Sequence, residues 1–148
     1  VGTLDGANVE IREEVGAENF FLFGKTVEEV DALRHAGYNP WDIYNSNPAV
    51  RRVLDAIKSN FFNLDQPGLY QPIWDALLTH GDYFLVLADF DAYVECQAQI
   101  SAAFEDPERW AQMCILNIAN SGKFSTDRTI SEYAREIWDI HPCPVNGD

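Results

Sequence analysis

The chain has 148 residues, with 24 Asp and Glu against 10 Lys and Arg for a formal net charge of −14, and it is 47% hydrophobic and 13% aromatic. That length suits one domain or one lobe of a larger fold, and the apolar share is enough for a core, which excludes global disorder. The charge repels phosphate backbones and anionic lipid, and no apolar run approaches the roughly 20 residues of a membrane span, so nucleic-acid and membrane roles are set aside. Val1-Gly2-Thr3-Leu4-Asp5-Gly6 has neither the basic nor the apolar region of a signal peptide. The single Met is Met113, so Val1 is not expected to be a native start.

The pattern predicts an α/β class: short parallel strands followed by a mostly helical region. Residues 1–4 are a short apolar segment cut by the turn pair Asp5-Gly6. Residues 8–15 read as a short helix stopped by Gly16. Phe20-Phe21-Leu22-Phe23 is apolar on every residue, which suits a strand buried on both faces. Thr26 and Glu29 form a capping-box pair before a helix with the stripe Val27, Val30 and Leu33, ended by Gly37. Two βα units in succession over residues 1–37 predict an α/β sheet. Residues 38–140 form a helical remainder and 141–148 a loose tail.

Within the helical part, Asn39-Pro40-Trp41 reads as a capped helix start. Val50, Val53, Leu54, Ile57 and Phe61 share one helix face, as do Leu69, Ile73, Ala76 and Leu77 after a loop at residues 63–68. Residues 83–88 are either a buried strand or an extended connection. Asp89 is the expected cap of a helix carrying Phe90, Tyr93, Val94, Gln97, Ile100 and Phe104. Asp106 caps the next, whose core side is Trp110, Met113, Cys114 and Ile118. Ser125 to Asp127 cap the last, with Ile130, Tyr133, Ala134, Ile137 and Trp138 in register.

By spacing alone no active site emerges. Cys96, Cys114 and Cys143 have no CxxC spacing, and Cys96 and Cys114 read as buried free thiols. His35, His80 and His141 lack ligand spacing, and a reducing, cytoplasmic compartment is expected. Asp91 and Glu95, on one helix face beside Asp89, are too few for a divalent ion and complement a helix N-terminus instead. The same holds for Glu105, Asp106 and Glu108. Asp5-Gly6-Ala7-Asn8 is only part of a calcium-loop pattern and reads as a tight turn. Lys123 would need a desolvated setting to form a Schiff base; a solvated lysine near a helix C-terminus is the plainer reading. Ser121 and Ser125 have no neighbouring His, and neither a phosphate loop nor GxGxxG occurs.

Several strings are more particular. Gly2-Thr3-Leu4-Asp5-Gly6-Ala7-Asn8-Val9-Glu10, Glu18-Asn19-Phe20-Phe21-Leu22-Phe23-Gly24, and Ala88-Asp89-Phe90 with Tyr93 are the first three. Asn117-Ile118-Ala119-Asn120-Ser121-Gly122-Lys123-Phe124-Ser125-Thr126-Asp127-Arg128-Thr129-Ile130 and Glu132-Tyr133-Ala134-Arg135-Glu136-Ile137-Trp138 follow in order. Together they resemble the C-terminal end of the α-glucan phosphorylases of glycogen, starch and maltodextrin. The resemblance implies that residues 1–37 end a Rossmann-like lobe, with 38–140 its helical portion, in a much longer enzyme of the GT-B type. In it, inorganic phosphate cleaves a terminal α-1,4 bond to give glucose 1-phosphate, with pyridoxal 5′-phosphate held by a lysine and its phosphate group engaged in catalysis. The parent is expected to be a cytoplasmic homodimer. The family's cofactor lysine lies just upstream of the Gly-Thr-Leu-Asp-Gly string. Lys25, Lys58 and Lys123 do not match it, and no catalytic, cofactor-binding or metal residue carries over to this chain.

The expectation is therefore a fragment that is inactive by itself, binds no cofactor, and self-associates through its last helix. Its Asp5 to Asn8 turn would support the crevice edge beyond a strand end. The rival reading is a non-catalytic, acidic helical interaction or regulatory module. A piece of another GT-B glycosyltransferase fits the strings poorly.

Overall fold

The structure is a computed structural model that describes residues 1–141 and 143. The chain divides into two compact units, one of Val1–Asp5 with Phe21–Ala102 and one of residues 6–20 with the chain from Ala103 on.

The first unit is built on helices. In α2 (Val27–His35) the Thr26 hydroxyl accepts from the Glu29 backbone N–H while the Glu29 carboxylate accepts from the Thr26 N–H, so the expected capping box forms. Asn39 caps α3 (Pro40–Ser46) by accepting from Trp41 N–H at 3.2 Å, with Pro40 in the first turn. Asn47 ends α3 and caps α4 (Pro48–Lys58) through bonds from Ala49 and Val50 N–H. The i, i+4 pair Val50 and Leu54, each 1% exposed, faces Trp74, Leu78 and Leu87, and Ile43, Tyr44, Ile57, Leu77 and Phe90 pack around them. Each such burial contributes about 1.5–3 kcal/mol, more than any cap, so this cluster sets how the helices sit.

Three sequence expectations are corrected in this unit. The two parallel strands do not form. Among the described residues, pairing is one isolated parallel bridge, Gly2 with Leu22, made by Gly2 N–H to Phe21 C=O at 3.0 Å and Phe23 N–H to Gly2 C=O at 3.2 Å. Phe20 to Phe23 are half-buried rather than enclosed on both faces. Two short segments without further neighbours cannot sustain a ladder, so extended backbone remains without a sheet.

The buried face after residue 68 is also displaced. Leu69 and Ile73 are about half exposed, whereas Trp74 and Leu78 are buried. Here α5 (Gln71–Trp74) widens into a π turn, Asp75–Thr79, closed by His80 N–H to Asp75 C=O at 2.7 Å. The extra residue per turn shifts the face that a 3.6-residue period assigns. The apolar run at 83–88 resolves as turns, with Leu85 and Leu87 inward and Tyr83, Phe84 and Val86 exposed. It is followed by α6 (Phe90–Phe104), whose buried positions are Cys96 and Ala103.

In the second unit, α1 (Gly6–Val15) leads into a 3₁₀ turn at Ala17–Asn19. Asn19 is buried and donates to the Val15 carbonyl at 2.8 Å. From α7 (Pro107–Ala119), capped by Asp106, the Asn117 amide donates to the Asn19 carbonyl at 3.1 Å and to Met113 C=O at 2.9 Å. A side chain thus stitches α7 to the turn after α1. On α7, Met113 is buried and Trp110 half-buried, but Cys114 and Ile118, expected inside, are exposed. A 3₁₀ turn, Ser121–Phe124, precedes α8 (Thr126–Glu136), where the Ser125 hydroxyl accepts from Arg128 N–H at 3.3 Å. The stripe Ile130, Tyr133, Ile137 and Trp138 is exposed, and Trp138 folds back to stack on Tyr133 at 5.7 Å. The tail expected at 141–148 lies, but for His141 and Cys143, outside the described residues.

Candidate functional site

The single bridge ends where polar groups gather. Beyond it stand Thr3, Gly24, Lys25 and Asp89. Asp89 stands immediately before Phe90, and its carboxylate accepts from the Lys25 backbone N–H at 3.1 Å. Gly24 has φ +90°, and a Cβ there would lie 2.9 Å from Asp89 Oδ2 and 3.1 Å from the Thr3 methyl, so only glycine fits. Burial raises the Asp89 carboxyl above its ordinary value. The Lys25 charge and N–H oppose that rise, and the Asp82 and Glu29 carboxylates add to it.

Next to Asp89 is a cavity of about 430 Å³ whose walls are Phe23, Phe84, Val86, Phe90 and Tyr93, with Thr3 at its edge. Phe23 and Tyr93 meet edge to face at 5.2 Å. Chemically this is an apolar recess with one carboxyl that is easier to protonate than usual. It can bind and support; acid–base chemistry needs a partner group in reach of a substrate.

The other sequence candidates are dispersed into structural tasks. Asp91 accepts from the Asn47 amide at 2.9 Å, and Asp106 caps α7. Glu95, Glu105 and Glu108 are exposed. The Asp5 N–H closes a turn on Thr3 C=O at 3.0 Å, and Gly6 begins α1 at φ +46°, with Asn8 inside the helix. Ser121 donates to Ile118 C=O at 2.8 Å. His35 Nδ1 lies 2.7 Å from Asp31 C=O. Among the described residues, no group of three or more His, Cys, Asp or Glu could hold a metal ion.

The lysines do not suit a carbonyl cofactor. Lys58 Nζ lies over the Trp74 ring at 4.2 Å, a cation–π pairing that occupies the amine. Lys123 is paired with Glu14, and that hydrogen bond raises its pKa, the opposite of what an imine-forming amine needs. Lys25 enters the Asp89 cluster through its backbone N–H. Held in these pairs, Lys58 and Lys123 do not fit an imine with pyridoxal phosphate.

One polar cluster escaped the sequence reading. Asp82, 2% exposed, accepts from Tyr38 O–H at 2.7 Å, Leu87 N–H at 2.8 Å and Val86 N–H at 2.9 Å. Burial first, then the Asp82 hydrogen bond, pushes the Tyr38 phenol well above its ordinary value. Asp82 and Tyr38 are 44 residues apart, beyond any local pattern; the Gly81-Asp82 pair was the one available signal.

The polar groups described here thus serve helix caps, a side-chain stitch between α7 and the turn at Asn19, and a carboxylate that holds backbone at Lys25. The model of the carbohydrate phosphorylase family matches residues 1–140. The chain is 56% identical over 145 residues to glycogen phosphorylase of Synechocystis sp., an alignment that covers 98% of this chain and 17% of that protein. It is 50% identical over 142 residues to the muscle form of glycogen phosphorylase from Oryctolagus cuniculus, covering 96% and 17%. It is 49% identical over 145 residues to the brain form from Pongo abelii, covering 98% and 17%. The chain belongs to the carbohydrate phosphorylase family and spans 17% of the length of these relatives. The strings quoted from its sequence therefore resembled the right family.

Proposed function

We propose that this chain is the C-terminal segment of an α-1,4-glucan phosphorylase, a GT-B glycosyltransferase that uses pyridoxal 5′-phosphate and inorganic phosphate to release glucose 1-phosphate. In that reading residues 1–37 and 38–140 both belong to the C-terminal lobe. The whole enzyme is a cytoplasmic homodimer acting on a glycogen-like glucan. The segment supplies support, and the reacting groups come from the rest of the polypeptide, so the segment is inactive alone. The observation that carries the proposal is the family match over residues 1–140 by a chain 17% as long as its relatives. Among the described residues no helix is long and apolar enough to cross a membrane, which agrees with a cytoplasmic enzyme.

Phosphorolysis depends on positioning and on stabilising phosphate charge. The Asp89, Gly24 and Thr3 cluster holds the backbone beside the single bridge. A swap tests the reading: residues 1–140 replace the matching segment of the Synechocystis relative. The hybrid should release glucose 1-phosphate from maltoheptaose. The 148-residue chain alone should release none and should take up no cofactor on Lys25, Lys58 or Lys123 after borohydride reduction, read by mass. A folded hybrid that binds pyridoxal phosphate but stays inactive overturns the proposal, as does a defined adduct on the isolated chain.

A further inference from the structure

Residues 81–88 form the wall between two recesses. Phe84 and Val86 line the apolar cavity of about 430 Å³ described above, while Gly81, Asp82, Tyr83 and Leu85 line a second of about 420 Å³ on the side of Arg34 and Tyr38. Apart from the Asp82 side chain, the wall is fastened by two apolar pins, Leu85 at 4% and Leu87 at 5% exposure. Arg34 adds a surface clasp, donating to Tyr83 C=O at 3.2 Å with its guanidinium 5.6 Å from the centre of the Tyr83 ring.

The backbone there is strained. Asp82 has φ +49° and Leu85 φ +58°, left-handed values that a leucine avoids and that persist only where the surroundings enforce them. Backbone bonds hold part of the turn, Asp82 N–H to Ala76 C=O at 3.1 Å and Leu85 N–H to Asp82 C=O at 2.9 Å, and the side chain that fastens it is the Asp82 carboxylate. It gathers the Val86 and Leu87 N–H groups back over the turn, and the Tyr38 hydroxyl is its side-chain donor. Removing a donor from a buried, charged acceptor leaves that acceptor under-satisfied and frees the strained turn to relax.

We propose that residues 81–88 are a latched strap. The Asp82 carboxylate, closed by Tyr38, holds the strap as a partition between two cavities, and release of the latch joins them. The device lies within one compact unit and does not depend on the function proposed above.

Residue-resolved hydrogen exchange on the full 148-residue chain and on Tyr38→Phe tests it, with indole as the probe of the apolar cavity. In Tyr38→Phe the Val86 and Leu87 amides should exchange at least about tenfold faster, while those of α4 keep their rates. Indole should shift the Phe84 and Val86 signals alone in the parent chain. In Tyr38→Phe it should shift those of Tyr83 and Leu85 as well. Unchanged Val86 and Leu87 exchange overturns the proposal, and so does a rise shared equally by α4, which reports general loss of stability. Indole shifts that cross the wall in the parent chain overturn it too. Should Tyr38→Phe not fold, Arg34→Gln supplies the decision. Loss of the clasp should move Tyr83 only, and accelerated Val86 and Leu87 exchange there would make Arg34, not Asp82, the fastening.

Discussion

Leu54→Ala is the sharpest probe of the first unit. Leu54 is 1% exposed, on the inward face of α4 between Val50, Trp74, Leu78 and Leu87. Truncation removes apolar volume at about 0.8 kcal/mol for each of roughly three carbons. A rigid helical surround closes the space only in part, and the residual cavity brings the total to about 3–4 kcal/mol. Val53, one residue earlier and 40% exposed, is the control, and Val53→Ala should cost under about 1 kcal/mol. Urea unfolding followed by circular dichroism reads both. With a slope near 2 kcal/mol/M, Leu54→Ala should lower the midpoint by about 1.5–2 M. A loss below about 1 kcal/mol, or equal losses for the two variants, would refute the reasoning, because α4 would then turn a different face to the core.

Burial and the Asp82 bond hold the Tyr38 phenol above its ordinary value of 10.0, so its contribution to stability is complete below that pH and lost as pH rises through the shifted value. In an ultraviolet phenolate titration, Tyr38 should be the last of the six tyrosines to ionise, and Tyr38→Phe should remove that final step. Cys96 is buried, with its thiol pushed up by burial, whereas Cys114 and Cys143 are exposed. A disulfide reagent should therefore modify two thiols per folded chain and a third only in denaturant. Just past the end of α8, Ile137 and Trp138 are 64% and 53% exposed, so the chain should self-associate in sedimentation as concentration rises. Ile137→Ser with Trp138→Gln should shift it to monomer without unfolding it, and a monomeric parent would refute the expectation.

Local chemistry was legible in the sequence and distant chemistry was not. The caps at Thr26, Asn39, Asp106 and Ser125 each act within three residues of their own position, so a short window contains both partners. The α4 stripe was legible for Val50 and Leu54, whose spacing alone puts them on one face, although Phe61, read on the same stripe, lies past the helix end and is 69% exposed. The π turn at Asp75–Thr79 defeats any fixed period, because it changes the period itself. The strands were misread because an apolar run reports that a segment avoids water, and a ladder needs partners that no run encodes. Asp82 failed for the same reason, its decisive donor being Tyr38.

Several of the residues that carry the family likeness are occupied in holding backbone. Gly24 leaves room for the Asp89 carboxylate, which fixes Lys25 N–H; Asn117 ties α7 to the turn at Asn19; Ser125 starts α8; Tyr133 receives Trp138. Each role demands one residue type at one place: no Cβ, a side-chain amide with its donors on two carbonyls, a short hydroxyl at a helix start, a ring of stacking size. Such demands are as restrictive as those of catalysis and leave an equally particular string. A sequence can therefore declare its family through its scaffold, while the reacting groups have to be sought in the surroundings of each side chain. Here those surroundings set Lys58 over the Trp74 ring, pair Lys123 with Glu14, and turn Asp91 and Asp106 to structural bonds.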